Sequence, residues 1–326
     1  MEYRRLGKSG LQVSALSLGS WLTFGKQISD EVAEQLMISA YENGVNFFDN
    51  AEIYALGQSE IVMGKILQKQ NWERSSYLVS SKVFFGDGGK KPNQTGLNRK
   101  HIFEACDAAL KRLQVSYIDL YFCHRPDYKT PVEETVWAMH NLIQQGKILY
   151  WGTSEWPADR IMQAHMVARQ YNLIPPLMEQ PQYNMFHRDR FELEYLDLYK
   201  MGMGTTIWSP LMSGILTGKY NDTIPEGTRF DLEEMDWLRK FVFAEGRIDK
   251  VRALTALAEE AGMSMTHMAL AWCMKNPNVS TVILGASKLS QLEDNLKSLD
   301  ALPKMTSDLM EKIELILQNK PNRTWF

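Results

Sequence analysis

Eight short apolar runs recur along the chain, none with a helical period and most ending on a polar residue. No other feature constrains the fold as much. The runs are LSLGS (16–20), VNFFDN (45–50), YLVSSK (77–82), IDLYFCH (118–124), ILYWGTS (148–154), LMEQPQY (177–183), TTIWSP (205–210) and TVILGAS (281–287). Segments of this kind predict strands buried on both faces. Between them, apolar residues return at helical spacing: Val32, Leu36, Ala40; Ile102, Cys106, Ala109, Leu113; Val132, Val136, Met139, Ile143; Ile161, Ala164, Ala168; Val251, Leu254, Ala258; and Leu309, Ile313, Ile316. Each set predicts a one-sided helix.

Eight strands, nearly all followed by a helix and undivided by any Pro/Gly/Ser linker, favour a single (β/α)8 TIM barrel domain over residues 1–326. An open dinucleotide-binding sheet would alternate too, but no G-x-G-x-x-G follows the first run. Ahead of the barrel, YRRLGKSGLQVS alternates around Gly-Lys-Ser-Gly and predicts an N-terminal β-hairpin placed to plug the barrel's bottom. A long loop is expected from Leu211 to Gly246, after the seventh strand; it is too aromatic for a disordered linker and reads as functional.

Thirty-six Lys and Arg against 39 Asp and Glu leave a net charge of -3. No strong field invites nucleic acid or an anionic membrane, so the expected partner is a small molecule or another protein. Cys106, Cys123 and Cys273 are odd in number and flanked by apolar residues, which predicts free thiols in a reducing compartment, the cytoplasm. MEYRRLGKSG is followed by no apolar stretch and does not read as a secretory signal. The uncharged stretch from Met201 to Gly218 is broken by glycines and a proline, against membrane insertion. Neither H-E-x-x-H nor G-x-S-x-G occurs, and no metal site is expected.

Barrel strands present their C-terminal ends on one rim. There Asp49, Lys82, His124, Ser154, Gln180 and Ser209 each stand where an apolar run stops, with Tyr54 one turn beyond Asp49. Singly, each has an ordinary reading as helix cap, strand-end surface residue or packing residue. Together they form a chemical set, because an ammonium favours a phenolate nearby and a carboxylate holds that ammonium charged. Such a set suits Tyr54 as general acid toward a carbonyl oxygen, with neutral His124 placing the carbonyl. Ser154 and Gln180 are positioned in sequence to hold a carboxamide, and Trp208 to offer a flat face to a nicotinamide ring.

FFDNAEIY, SSKV, HRPD, GTSEW, EQPQYN and ILGAS, spread over practically the whole chain, resemble the aldo-keto reductases. Longer segments, NAEIYALGQSEIVMGKIL, ERSSYLVSSKVFFG, LKRLQVSYIDLYF and AWCMKNPNVSTVILGAS, resemble the voltage-gated potassium channel beta subunits and their bacterial reductase relatives. The resemblance implies Asp49, Tyr54, Lys82 and His124 as the catalytic tetrad. It also implies NADPH/NADP+ bound by Trp21, Ser154, Gln180, Trp208, Ser209, Leu211, Gly214, Lys219, Arg229, Ser287, Gln291 and Asn295, with Arg229 toward the 2′-phosphate. The channel subunits have Asn in place of His124, a departure that favours a reductase of aldehydes and ketones, and Arg in place of Glu155, a departure that implies weaker cofactor retention. The alternative implied by the resemblance is a cofactor-sensing channel subunit with slow turnover. A homotetramer and a channel partner stay open, as does the direction of the reaction in the cell. Trp21, Phe84, Phe85 and Trp156 lie near strand ends and are expected to line an aromatic pocket for a small carbonyl substrate.

Overall fold

A computed structural model describes residues 1–226, 230, 239–240, 242–243 and 246–322. Two strands, β1 (Tyr3–Arg5) and β2 (Gln12–Ser14), pair antiparallel as the N-terminal hairpin. Eight more follow: β3 (Leu16–Gly19), β4 (Phe47–Asp49), β5 (Leu78–Val83), β6 (Ile118–Cys123), β7 (Ile148–Thr153), β8 (Met178–Glu179), β9 (Gly204–Ile207) and β10 (Thr281–Leu284). They pair in parallel and in sequence order, and β10 closes on β3, so the sheet is a barrel with no free edge. This is the (β/α)8 architecture that the alternation predicts.

Around it lie α1 (Asp30–Glu42), α2 (Gln58–Gln70), α3 (Arg99–Leu113), α4 (Val132–Gln144), α5 (Ala158–Gln170), α6 (Leu196–Lys200), α7 (Arg247–Glu260), α8 (Met265–Lys275), α9 (Leu289–Leu296) and α10 (Ser307–Leu317). Ser29, Asn98, Ser264 and Thr306 start four of these helices, each side chain accepting from a first-turn N–H. Each such cap contributes about 1 kcal/mol. Among the described residues, no helix is long and apolar enough to cross a membrane. Cys106, Cys123 and Cys273 are buried free thiols.

Alternation along the strands sorts the barrel interior into layers. Phe47, Leu78, Leu120, Phe122, Met178 and Ile283 form a buried apolar cluster together with Leu6 and Val13 of the hairpin. The hairpin is held there by Lys8 N–H donating to Gly202 O at 2.9 Å. A Cβ on Gly7 would lie 2.3 Å from that same carbonyl, and Gly7 has φ 57°, so a side chain has no room at this contact. Thus the hairpin does plug the bottom, the strands' N-terminal end. Two residues further along the same strands come Asp49, Ser80, His124 and Gln180, with Lys82 two beyond Ser80. Strand parity therefore turns these polar groups inward at the opposite end.

Four of these helices have no counterpart among the periodic sets: α6 because five residues are too few to show a period, and α2, α8 and α9 for reasons of burial. On α2 the buried face includes Ser59, Glu60 and Gly64, which breaks its apolar period. On α8 eight of the eleven residues are buried, leaving no polar stripe to define a face. The short α9 buries only Leu292, Asn295 and Leu296.

Candidate active site

Lys82, at the end of β5, is fully buried. Its Nζ donates to Asp49 Oδ2 at 2.7 Å, to Asn50 O at 2.8 Å and to Tyr54 Oη at 3.0 Å. All three of its protons are therefore assigned. Asp49, at the end of β4, accepts further from Ser80 Oγ at 2.8 Å and Gln180 Nε2 at 3.0 Å. The carboxylate thus keeps Lys82 charged while neighbouring dipoles hold the carboxylate in place.

Tyr54 follows Asp49 by five residues, and Ala55, Leu56 and Gly57 then run through the left-handed region, with φ 49°, 53° and 86°. For the two residues that carry a Cβ this costs about 1–2 kcal/mol each. The turn swings the chain from the rim into α2.

The electrostatics correct one expectation. Burial raises the Tyr54 phenol above the ordinary tyrosine range; Lys82 opposes the rise and Asp49 adds to it. Desolvation of the phenolate therefore outweighs the attraction of the ammonium, and the group keeps its proton at neutral pH. Lys82 is destabilised as a cation by burial, but Asp49 and Tyr54 turn the balance and its pKa rises. His124 lies far below the usual histidine range because of burial, then Lys82 and Arg125, so the imidazole is neutral. Its Nδ1 is buried with no hydrogen-bond partner. The His124 ring stands edge-on to Tyr54, with centroids 5.8 Å apart.

A second set of rim groups adjoins the first. Ser154 Oγ donates to Gln180 O at 2.9 Å, and Gln180 Nε2 also donates to Thr206 Oγ1 at 3.2 Å. The side-chain nitrogen of Gln180 is thus engaged by Asp49 and Thr206, which leaves its oxygen as the acceptor for an incoming group. Trp208 Nε1 donates to Glu155 Oε1 at 3.0 Å, and the Trp208 ring meets Trp21 edge-on at 6.3 Å. Ser209 has φ 54°, and its carbonyl accepts from Asn184 Nδ2 at 3.0 Å.

Beyond β9, Leu211 and Lys219 flank the turn Met212–Thr217, and Gly214 lies within it. Gly214 has φ 97°, and a Cβ there would lie 3.4 Å from Lys219 Nζ. Only a residue without a side chain leaves that ammonium approachable from the turn. Ser287 precedes α9 and donates through N–H and Oγ to Gln291 Oε1, at 2.9 and 3.1 Å; Asn295, one turn further on, is buried. Arg229 lies outside the described residues.

Of the four residues expected to line a pocket, Trp21 and Phe85 reach the rim surface. Trp156 does not: it is 1% exposed, with Tyr195 Oη donating to its carbonyl at 2.6 Å. Its position just past β7 turns the ring into the core, and Phe84 likewise packs against the core. Sequence reasoning missed Ser80 and Thr206, which share inward parity with Lys82 and Trp208 and were legible from that alone. It also missed Glu52, buried inside NAEIY.

The C-terminal rim of the closed barrel thus brings together a neutral phenol, a buried ammonium and a neutral imidazole. The family model described as the Aldo/keto reductase family matches residues 15–318, and the chain belongs to that family. It is accordingly an oxidoreductase of the kind that interconverts carbonyls and alcohols with a nicotinamide cofactor.

Proposed function

We propose that the protein reduces aldehydes or ketones with NADPH, with Tyr54 as the general acid. The observation that carries this reading is the Lys82 ammonium bridging Asp49 and Tyr54 beside a neutral His124 whose Nδ1 has no hydrogen-bond partner. When bound, the cofactor supplies the hydride to the carbonyl carbon. The chain's own residues handle the oxygen. His124 donates a hydrogen bond that orients it. Tyr54 gives up its proton as negative charge develops there, and Lys82 then stabilises the resulting phenolate. Asp49 keeps Lys82 charged throughout, so burial raises the phenol's pKa in the free chain without removing its ability to deliver a proton.

Trp208 and Trp21, with Ser154, Gln180 and Ser209, would hold the nicotinamide end. Leu211, Gly214 and Lys219, with Ser287, Gln291, Asn295 and Arg229, would hold the diphosphate and the adenosine phosphate. The Gly214 turn against Lys219 supports that fit, since backbone without a side chain beside a cation suits phosphate. Lys219 and Arg229 are the basis for choosing NADPH over NADH. The reading includes one domain over residues 1–326 and a cytoplasmic setting, supported by the buried free thiols. It also retains the likeness to potassium channel beta subunits and a homotetramer. No feature of the rim favours the sensor alternative, and His124 favours turnover.

Absorbance-monitored NADPH oxidation by the purified protein, with a panel of aromatic and aliphatic aldehydes and NADH as control, tests the reading. Rapid multiple turnover with NADPH is expected. One slow turnover with cofactor retained would instead support the sensor alternative.

A further inference from the structure

One buried acid near the rim has no part in the proton chemistry. Glu52 is 3% exposed and lies between Asp49 and Tyr54 in sequence, with its side chain accepting from the backbone of the segment that follows β5. Its Oε1 accepts from Phe84 N–H at 2.7 Å and from Gly86 N–H at 2.8 Å. Its Oε2 stands 3.5 Å from His101 Nε2 at the start of α3. The other nitrogen of that ring, Nδ1, lies 2.9 Å from Gly96 O, and Gly96 N–H donates back to Phe84 O at 2.6 Å. The segment 84–98 is therefore tied at both ends to one Glu–His pair. Gly86, with φ 73°, has no room for a side chain, since a Cβ would lie 2.4 Å from Gln94 O.

Between the two amides that Glu52 holds is Phe85. The residue is 39% exposed at the rim, and its ring stands edge-on to His124 with centroids 5.2 Å apart and has the Arg125 guanidinium 5.8 Å from its centre. With Glu52 holding the amides of Phe84 and Gly86, and Gly96 N–H holding Phe84 O, Phe85 cannot drift along the rim, and an exposed ring edge-on to the carbonyl-orienting histidine makes a wall beside the reacting carbon.

We propose that Glu52 is a positioning residue for the substrate: it fixes Phe85 against His124, and the wall so formed recognises carbonyl compounds with a planar aromatic body. The inference rests on the reductase reading above. Two donors converging on one oxygen are lost together when Glu52 becomes alanine, whereas a glutamine oxygen can accept both. Burial pushes the Glu52 carboxyl up to about 7, so the uncharged form is populated near neutral pH and glutamine is a fair substitute.

Steady-state kinetics at saturating NADPH, with benzaldehyde and propanal compared in Glu52→Ala, Glu52→Gln and Phe85→Ala, provide the test. Glu52→Ala is expected to raise KM for benzaldehyde about tenfold and for propanal less than about threefold, with kcat for benzaldehyde within about twofold of the parent. Phe85→Ala should shift the two KM values in the same ratio, and Glu52→Gln should restore the parent values. An equal KM rise for both aldehydes, no rise for either, or a Glu52→Gln variant as impaired as Glu52→Ala would overturn the proposal while leaving the reductase reading intact. A parent protein that turns over neither aldehyde would remove both. Phe85→Ala keeps the question answerable if Glu52→Ala does not fold, since it changes an exposed ring and leaves the Glu52 grip in place.

Discussion

The two ends of the barrel interior are built by the same strands and behave as opposites. Toward the hairpin, Phe47, Leu78, Leu120, Phe122 and Met178 pack with Leu6 and Val13 into an apolar plug. Two residues later on those strands, Asp49, Ser80, His124 and Gln180 face the same axis, and none is more than 6% exposed. Burial is common to both layers, so exposure does not separate structure from chemistry here. Pairing does: the lower layer gains by leaving water, whereas the upper layer is tolerable only because every proton of Lys82 meets an acceptor. The lower layer is expected to govern stability and the upper one reactivity, and substitutions in each can break that division.

The largest effect is expected at Tyr54. In Tyr54→Phe the acid is gone but the ring remains, and kcat should fall about 10²–10⁴-fold. Stability should fall by about 1.5–3 kcal/mol, because one proton of the buried Lys82 ammonium loses its acceptor. Carbonyl-reduction kinetics beside thermal melting separate the two readouts. A variant reducing aldehydes as fast as the parent would remove Tyr54 from the chemistry. Next comes Lys82→Met, which strands the Asp49 carboxylate in the interior and should cost about 3–5 kcal/mol. Adding Asp49→Asn should recover most of that loss in denaturant titrations while activity stays absent. If the double variant is as unstable as the single, the upper layer has a packing role that pairing does not explain. In the lower layer, Leu120→Ala should cost about 2–5 kcal/mol and leave kcat per folded molecule unchanged.

How much of this was legible from sequence follows the same division. Strands and hairpin announced themselves because a period of two, or an unbroken apolar run, is a local property of the chain. The cluster of Asp49, Lys82 and His124 was legible because each sits where such a run stops, with Tyr54 one turn past Asp49. What depended on distant neighbours was not. Glu60 and Gly64 obscure α2, because Glu60 pairs with Arg112 at 2.6 Å and a Cβ on Gly64 would lie 2.3 Å from Arg112 O, contacts that no window of sequence reveals. Trp156 looked like pocket lining because it follows a strand end, yet its ring is core. The protonation of Tyr54 required weighing burial against Lys82, and sequence supplies only the second. Glu52 carries no local signal of its role, since the amides it accepts from lie more than thirty residues away.

An effect that shows only in the pH dependence of stability sharpens the rule about pairing, and it sits on the outer face of β8. Glu179 is fully buried next to Gln180 but points the opposite way, toward Trp156 N–H and Tyr195 Oη, each at 3.3 Å, and Thr153. Lacking a cation such as Lys82 gives Asp49, it is pushed by burial from the ordinary 4.5 up to about 8. Unfolding releases that proton wherever the pH lies between the two values, so there the folded state binds more protons than the unfolded one. Its contribution to stability is complete below pH 4.5 and is lost as pH rises toward 8, at up to about 1.4 kcal/mol per pH unit. Glu179→Gln fixes the neutral form and should flatten that part of the curve. Denaturant titrations of parent and variant from pH 5 to 9 should therefore show the parent losing stability relative to Glu179→Gln as pH rises, with the difference levelling off above about 8. Parallel curves would mean that hydrogen bonds from Thr153, Trp156 and Tyr195 hold a charged carboxylate without a cation. Dipoles alone could then do for a buried charge what Lys82 does for Asp49.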